Sequence, residues 1–169
     1  MADETIDPGH FRRVLGHFPT GVTAVTALHD GVPVGMTIGS FTSVSLDPPL
    51  VAFLPGRKSS TWSRIRRSGS FCVNILTADH LEVCGALAAP ADDRFECVGW
   101  SPSANGSPII DGVLAWIDCE IAAVHEAGDH DIVVGRVLAL EADTEAPQSP
   151  LLFYRGGYGD FASRMGGLD

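Results

Sequence analysis

Residues 35–50 read GMTIGSFTSVSLDPPL, and they are more informative about the fold than any other part of the chain. Its β-branched and hydroxyl-bearing residues favour an extended backbone, so it predicts one long strand from Val34 to Ser45. The turn at Asp47–Pro49 then leads into a second strand over residues 50–54. A simple core seldom needs so many glycines and hydroxyls in one strand, whereas a strand that supports a small, polar, planar ligand does. We therefore expect this strand to line a binding site.

The rest of the chain predicts more strands than helices, from the period of its apolar residues. The other predicted strands cover residues 21–28, 70–76, 113–125, 131–141 and 151–154. The predicted helices run from Asp7 to Pro19, from Ser59 past residue 66, and from 79 to 87, and residues 88–107 form a long loop. Since no strand–helix–strand alternation occurs, the pattern predicts a mainly β fold, an antiparallel barrel whose closure hides the strand edges.

The 113–125 strand and the cysteines give expectations about the interior. Apolar residues alternate along this strand from Val113 to Ile121, which places Asp118 and Glu120 on the opposite, polar face. The four cysteines are widely spaced and form no C-x-x-C pair, so we expect them to be buried thiols.

Composition limits the classes of function. The chain has 169 residues, enough for one domain with its own core, and a net charge of −10. That charge argues against nucleic acid or an anionic membrane as a partner, because both attract basic surfaces. The acidic N-terminus does not resemble a signal peptide, and no apolar run reaches the roughly 18 residues of a membrane helix. We expect a cytoplasmic protein.

Several common catalytic motifs are absent from the sequence. It contains no G-x-G-x-x-G, no P-loop and no G-x-S-x-G, which argues against a Rossmann domain, a P-loop enzyme and a serine hydrolase. His125 and His130 lie close together, but no Cys/His framework accompanies them, so we expect no metal site.

A basic, hydroxyl-rich segment predicts a phosphate site. Arg57, Lys58, Ser59, Ser60 and Thr61 directly precede or begin a predicted helix. The N–H groups at a helix N-terminus attract anions, and Arg and Lys add charged donors. The same residues could instead form a capped, solvated helix start.

Two further residues have the chemistry of a redox site. His130 follows a Gly-Asp turn at the start of a strand, where it could orient a nicotinamide or donate a hydrogen bond. Tyr158 lies in a glycine-flanked tail and could stack on a planar ring. Each could equally be a surface or packing residue.

Six segments together resemble the short-chain flavin reductases. These proteins have a flavin reductase-like domain with the FMN-binding split-barrel fold and serve as reductase components of two-component flavin-dependent monooxygenases. The similar segments are residues 18–23, 35–50, 58–62, 70–76, 128–130 and 154–158, in the family's order. The resemblance implies an antiparallel Greek-key split β-barrel over residues 10–161, with flexible ends at 1–9 and 162–169.

The resemblance also implies an activity and a site. A homodimer would reduce FAD or FMN by hydride transfer from NADH or NADPH, and reduced flavin would then pass to a separate monooxygenase. His130 would be the catalytic residue, through its contact with nicotinamide. The implied cofactor-binding residues are Met36, Thr37, Ile38, Ser40, Phe41 and Thr42 along the ring, Arg57, Lys58, Ser59, Ser60 and Thr61 at the phosphate, Arg94 and Phe95 at the ribityl chain or adenine half, and His130 and Tyr158.

One position departs from the family pattern, and two other functions remain open. Position 39 is Gly where small Ala or Ser is usual, which could loosen the wall beside the ring. No Arg pair suited to a 2′-phosphate stands out, which favours NADH.

The alternatives are an oxidase of the pyridoxamine-phosphate-oxidase type, which would retain its flavin, and a flavin- or haem-binding barrel without enzymatic activity.

Overall fold

The computed structural model describes residues 6–89, 95–144 and 149–163. In this part of the chain, most of the secondary structure is β. The helices are α1 (Pro8–Leu15), α2 (Ser60–Ser68) and α3 (Leu81–Ala88), with a 3-10 turn at Ala78–His80 before α3. The strands are β1 (Thr20–Gly21), β2 (Thr23–His29), β3 (Val32–Ile38), β4 (Thr42–Leu46), β5 (Pro49–Phe53), β6 (Ser70–Ile75), β7 (Trp100–Pro102), β8 (Pro108–Ile110), β9 (Ala115–Ala127), β10 (His130–Ala142), β11 (Leu152–Tyr154) and β12 (Gly157–Gly159).

Seven of these strands form one antiparallel sheet in the order β3-β2-β6-β9-β10-β5-β4. Its two outer strands, β3 and β4, are joined by residues 39–41 alone. The four Cα steps from Ile38 to Thr42 span at most about 14 Å, so the ends of the outer strands lie close together and the sheet curls into a barrel. The predicted mainly β, antiparallel barrel is confirmed.

The single strand predicted from Val34 to Ser45 is wrong, because the chain breaks at residues 39–41 and changes its partner. β3 pairs with β2, and β4 pairs with β5 on the other side of the barrel. Ser40 fixes the break, since its hydroxyl accepts a hydrogen bond from the Leu54 N–H at 3.0 Å. Sequence period alone could not reveal a change of partner between two extended segments.

Two apolar clusters form the core on either side of the sheet. One fills the barrel around Phe53, Trp62 and Phe71, whose rings meet edge to face. The other packs the opposite face of the sheet against α3 and includes Leu76 and Leu87. The two β7–β8 strands and the three-stranded β1-β11-β12 sheet lie outside the main sheet.

Helix α1 is confirmed, but it ends at Leu15 rather than at Pro19. The Asp7 carboxylate caps it by accepting from the His10 N–H at 2.7 Å, and Pro8 begins its first turn. None of its residues is buried. None of the helices in the described ranges has the length and apolar content needed to cross a membrane.

Asp118 lies on the face of β9 opposite the barrel core, as predicted, but this face is covered and Asp118 is fully buried. The loop before β8 covers its face of β9, and its carboxylate accepts hydrogen bonds from Ser103 Oγ at 2.8 Å and the Asn105 N–H at 3.3 Å. Three cysteines, Cys72, Cys84 and Cys119, are buried as predicted, whereas Cys97 is exposed.

Candidate functional site

Strand β3 presents a surface of small residues beside an open edge. Residues alternate between the two faces of a strand, so Val34 and Ile38 point into the barrel core while Gly35 and Thr37 face the other way. Within the described residues, β3 is hydrogen-bonded to a strand on one side only. On its other edge no strand of the described part of the chain covers β3, and Met36 and Thr37 are half-buried.

A cavity of about 390 Å³ connects this strand with the start of α2. Its walls come from three elements: β3, the N-terminal turn of α2 and the end of α3. The lining residues are Met36, Thr37, Lys58, Ser59, Ser60, Thr61, Leu87 and Ala88. The structure thus brings together two segments that are about 20 residues apart in the sequence and that were predicted to share one ligand.

The start of α2 has the features of an anion site. Ser59 caps the helix, and its Oγ accepts from the Trp62 N–H at 3.1 Å. The first turn carries no acidic residue, and Lys58 adds a cation immediately before the cap. The positive end of the helix dipole and the lysine therefore act in the same direction on an anion in this cavity.

A second cavity, of about 160 Å³, lies on the other side of Thr37. It is lined by Thr20, Val22, Thr37, Ile38, Gly39, Phe153 and Tyr158. Thr37 is common to both cavities. At Gly39 a Cβ atom would lie only 2.9 Å from Thr20 Oγ1, so glycine at this position allows Thr20 to approach closely and does not loosen the wall.

Tyr158 is held in place by two neighbours. Its ring lies 5.2 Å from that of Phe153 at an angle of 62°, and its hydroxyl accepts from the Cys84 thiol at 3.4 Å. This hydrogen bond, together with partial burial, raises the pKa of Tyr158 above its ordinary value. The phenol therefore stays neutral near pH 7 and half of its ring remains accessible.

Phe95 covers Gly35 on the same face of β3. A Cβ at Gly35 would lie 3.1 Å from Phe95 Cζ and 3.2 Å from Thr26 Cγ2. Glycine is required here because a larger residue would push the phenyl ring away from the strand. Phe95 also meets Trp100 edge to face at 6.5 Å. The neighbouring candidate, Arg94, lies outside the described residues.

His130 begins β10 and remains half exposed. Its Nδ1 lies 2.7 Å from the Asp129 carboxylate, and hydrogen bonding to His130 holds the pKa of Asp129 below its ordinary value. The backbone of His130 forms an isolated bridge with Gly56, two residues before Lys58. This places the histidine beside the segment that leads into the anion site.

Besides Phe95 and His130, four predicted ligand residues in the described part of the chain line neither cavity. Arg57 is paired with the carboxylates of Glu126 and Asp131. Ser40 is bonded to Leu54, Phe41 packs against the barrel core, and the Thr42 hydroxyl donates to the Ser43 carbonyl at 3.2 Å. The last three lie in or after the break between β3 and β4, which explains why they leave the ligand face.

The cavity walls also include residues that the sequence did not single out for binding, notably Leu87, Ala88, Thr20 and Phe153. The first two are apolar residues at the end of a helix, a position without a signal for binding. Thr20 and Phe153 pair with each other through β1 and β11, and no local pattern indicates that this small sheet lies against β3.

Comparisons with known proteins agree on one family. The description "Flavin reductase like domain" applies to residues 15–162. A flavin reductase of Pseudomonas putida is 57% identical over 159 residues, covering 94% of this chain and 92% of the relative. The reductase subunit HsaB of a flavin-dependent monooxygenase of Mycobacterium tuberculosis is 49% identical over 153 residues, covering 90% and 82%.

Solved structures give the same result. The structure of nitrilotriacetate monooxygenase component B from Mycobacterium thermoresistibile matches with a TM-score of 0.88 and 49% identity, covering 90% of this chain and 85% of that one. The Streptomyces globisporus NADH:FAD oxidoreductase SgcE6, solved with NAD and FAD fragments, matches with a TM-score of 0.86 and 36% identity, covering 95% and 98%. With this fold, this site and these relatives, the chain belongs to the flavin reductase-like domain family.

Proposed function

We propose that the chain is an NAD(P)H-dependent flavin reductase that reduces FMN or FAD and supplies the reduced flavin to a separate monooxygenase. The observation that carries the proposal is the pair of cavities that share Thr37 as a wall, one of which is lined by a cationic helix N-terminus. A flat ring with a phosphorylated tail has this combination of shape and charge. The relatives named as flavin reductases and monooxygenase reductase subunits support the same activity.

The residues present fit such a ligand. Lys58 and the hydroxyls of Ser59 and Ser60 offer charged and neutral donors to a phosphate, in a protein whose net charge is −10. Gly35 and Gly39 add no side chains of their own to this face of β3, and Phe95 and Thr20 lie close to the strand there. The open edge of β3 offers backbone groups to the polar edge of the ring.

A bound flavin supplies the redox chemistry by accepting hydride from the nicotinamide of NADH or NADPH. The side chains have the task of holding two planar groups together and excluding other reactions. His130, half exposed beside the anion site, would orient the nicotinamide. Its removal should impair the use of NADH more than the binding of flavin.

The direct test is oxidation of NADH and NADPH by the full chain with FMN, FAD or riboflavin supplied separately. We expect nicotinamide oxidation with at least one phosphorylated flavin, and a lower KM for that flavin than for riboflavin because riboflavin lacks the phosphate. His130→Gln should raise the KM for NADH while flavin affinity, measured by fluorescence, stays within a factor of about two. Failure to oxidise either nicotinamide with any flavin would contradict the proposal.

The proposed assembly is a homodimer. Four large apolar side chains are exposed on β4 and β10, the two strands that flank β5: Val44, Leu46, Leu138 and Leu140. Leu46 is 96% exposed, which is unfavourable for a leucine in water. A second copy of the chain would bury such a surface, as homodimer interfaces commonly do.

A further inference from the structure

Arg57 lies at the centre of an ion-pair cluster outside the anion cavity. Its Nη2 donates to Glu126 Oε1 at 2.8 Å, and its Nε lies 3.5 Å from Asp131 Oδ1. Glu126 belongs to β9, and Asp131 follows His130 in β10. One side chain from the segment before α2 therefore reaches both strands of the hairpin that carries His130.

Asp131 extends this cluster into the protein interior. Its Oδ2 accepts a hydrogen bond from Trp62 Nε1 at 2.8 Å, and Trp62 lies in the first turn of α2. Asp131 and Trp62 are each only 2% exposed. In the described part of the chain Asp131 Oδ1 accepts no hydrogen bond, and the Arg57 cation, together with Arg66, whose Nη1 lies 3.8 Å from Oδ2, compensates the charge of the carboxylate.

Two backbone hydrogen bonds reinforce the side-chain contacts. The Arg57 N–H donates to the Asp129 carbonyl, and the Asp131 N–H donates to the Pro55 carbonyl, both at 3.0 Å. His130 lies between these two bonds and opposite Gly56. The position of His130 relative to α2 thus depends on the contacts of its two chain neighbours.

The burial of the two carboxylate partners indicates which ion pair holds the Arg57 side chain in place. An exposed ion pair such as the one with Glu126, whose side chain is 73% exposed, stabilises little by itself. The Asp131 side chain is 3% exposed, and a buried carboxylate without a compensating charge is strongly unfavourable. Arg57 is therefore held toward Asp131, and it does not line the cavity formed by Lys58–Thr61.

We propose that Arg57 and Asp131 are positioning residues of the reductase. Together with Glu126 and Trp62 they form a cluster, here called the Arg57 clasp, that holds the β9–β10 hairpin on the start of α2. The clasp sets the distance between His130 and the helix end that receives the flavin phosphate. This inference rests on the proposed function, and it assigns Arg57 to nicotinamide positioning and not to phosphate binding.

Arg57 and Lys58 are adjacent cations, so replacing each by Gln gives two matched variants that remove one positive charge each. Arg57→Gln should raise the KM for NADH and lower kcat, with a loss in kcat/KM of about 10- to 100-fold, because small misplacements of reacting groups have effects of this size. The ratio of the FMN and riboflavin dissociation constants should stay unchanged. Lys58→Gln should weaken FMN binding, leave riboflavin binding unchanged and leave the KM for NADH at saturating flavin unchanged.

Asp131→Asn provides a second, milder probe of the clasp. The amide oxygen can still accept from Trp62, but the charge that holds Arg57 is removed. This variant should reproduce the NADH defect of Arg57→Gln, and the double variant should be no worse than either single one, because the two residues act through one contact. General loss of stability would instead give additive defects and would reduce flavin and NADH use together.

The clasp also has a readout that does not require activity. The NMR signal of the His130 ring, identified by its loss in His130→Gln, should shift in Arg57→Gln and remain in place in Lys58→Gln. An unmoved signal, or weaker FMN binding in Arg57→Gln with normal riboflavin binding and NADH use, would overturn the inference. If the unaltered chain oxidised neither NADH nor NADPH, the proposed function would fail, and the His130 signal would still decide whether the clasp exists.

Discussion

Asp118 is the clearest case of a single residue whose burial the sequence does not reveal. It sits among apolar neighbours on β9 as an acidic side chain, yet it is fully buried. Burial raises its pKa above the ordinary value of 3.8, and the hydrogen bonds from Ser103 and Asn105 oppose this effect only in part. The alternation of apolar and polar residues along β9 shows which residues share a face of the strand. It does not show that the loop at residues 103–107 covers the polar face.

The pKa of Asp118 has a consequence for the pH dependence of stability. The folded chain binds the Asp118 proton more tightly than the unfolded chain, so this residue's contribution to the free energy of unfolding increases as the pH falls toward 3.8. The amide of Asp118→Asn does not titrate, so the variant lacks this pH-dependent contribution to the free energy of unfolding. We expect the destabilisation by Asp118→Asn to be larger at pH 4, close to the ordinary pKa of the carboxyl, than at pH 7, as measured by urea unfolding. A difference that does not change with pH would contradict this.

The cysteines should differ sharply in reactivity. Burial, followed by the nearby charge of Asp118, raises the pKa of Cys72 and of Cys119 to about 12, so neither thiol is ionised near pH 7. Cys84 is also buried, and Cys97 is exposed. Native protein treated with iodoacetamide should therefore be alkylated at Cys97 alone, and denatured protein at all four cysteines, as mass spectrometry would reveal. Early labelling of Cys72 in the native chain would show that the barrel opens.

At the level of elements, the break between β3 and β4 matters most. The same short segment ends the strand that faces both cavities and begins the strand at the opposite edge of the sheet. Ser40 is the link, because its hydroxyl meets both the N–H and the carbonyl of Leu54, at 3.0 and 3.3 Å. The end of β3 is therefore attached to the chain that follows β5.

Ser40→Ala should loosen this attachment. It leaves the half-buried Leu54 N–H without its hydroxyl acceptor, which should lower the free energy of unfolding by about 1–2 kcal/mol. Urea unfolding would measure the change. Ser43→Ala, an exposed substitution in β4, is the matched control and should alter stability by less than about 0.5 kcal/mol. Equal effects of the two substitutions would mean that Ser40 does not hold the barrel closed.

The helices and strands were easier to predict from the sequence than the contacts that they make with one another. The helix caps at Asp7 and Ser59 follow from local chemistry, and both form as the sequence indicates. The link from Ser40 to Leu54 and the approach of Phe153 to β3 depend on contacts between distant parts of the chain. Thr37 and Lys58–Thr61, which the family resemblance predicts to share a ligand, line one cavity. Nothing in the sequence indicates that Arg57 pairs with Glu126 and Asp131 instead.

For the whole molecule, the exposed apolar residues on β4 and β10 are a feature that a single chain leaves unexplained. Leu138 and Leu140 are 47% and 62% exposed, and both lie on the strand that begins with His130. An interface over β10 would therefore be continuous with the strand that bears the candidate catalytic residue. Assembly and activity would then be connected through one element.

The proposed homodimer gives a prediction about mass in solution. Light scattering after size exclusion should give twice the mass of the chain for the unaltered protein. Leu140→Lys should shift this toward the monomer, because an unpaired charge at an interface must lose its hydration. Glu82→Lys, on α3, changes charge by a larger amount away from this surface and should leave the dimer intact. A monomeric unaltered chain would contradict the proposed assembly.

Thr37 has a consequence for attempts to redesign the protein. Because it borders both cavities, a change at this position alters the two compartments at once. Directed evolution toward a different flavin would then meet a trade-off at position 37. Substitutions that improve only one cavity should instead be found at residues that line that cavity alone, such as Leu87 in the larger cavity and Phe153 in the smaller one.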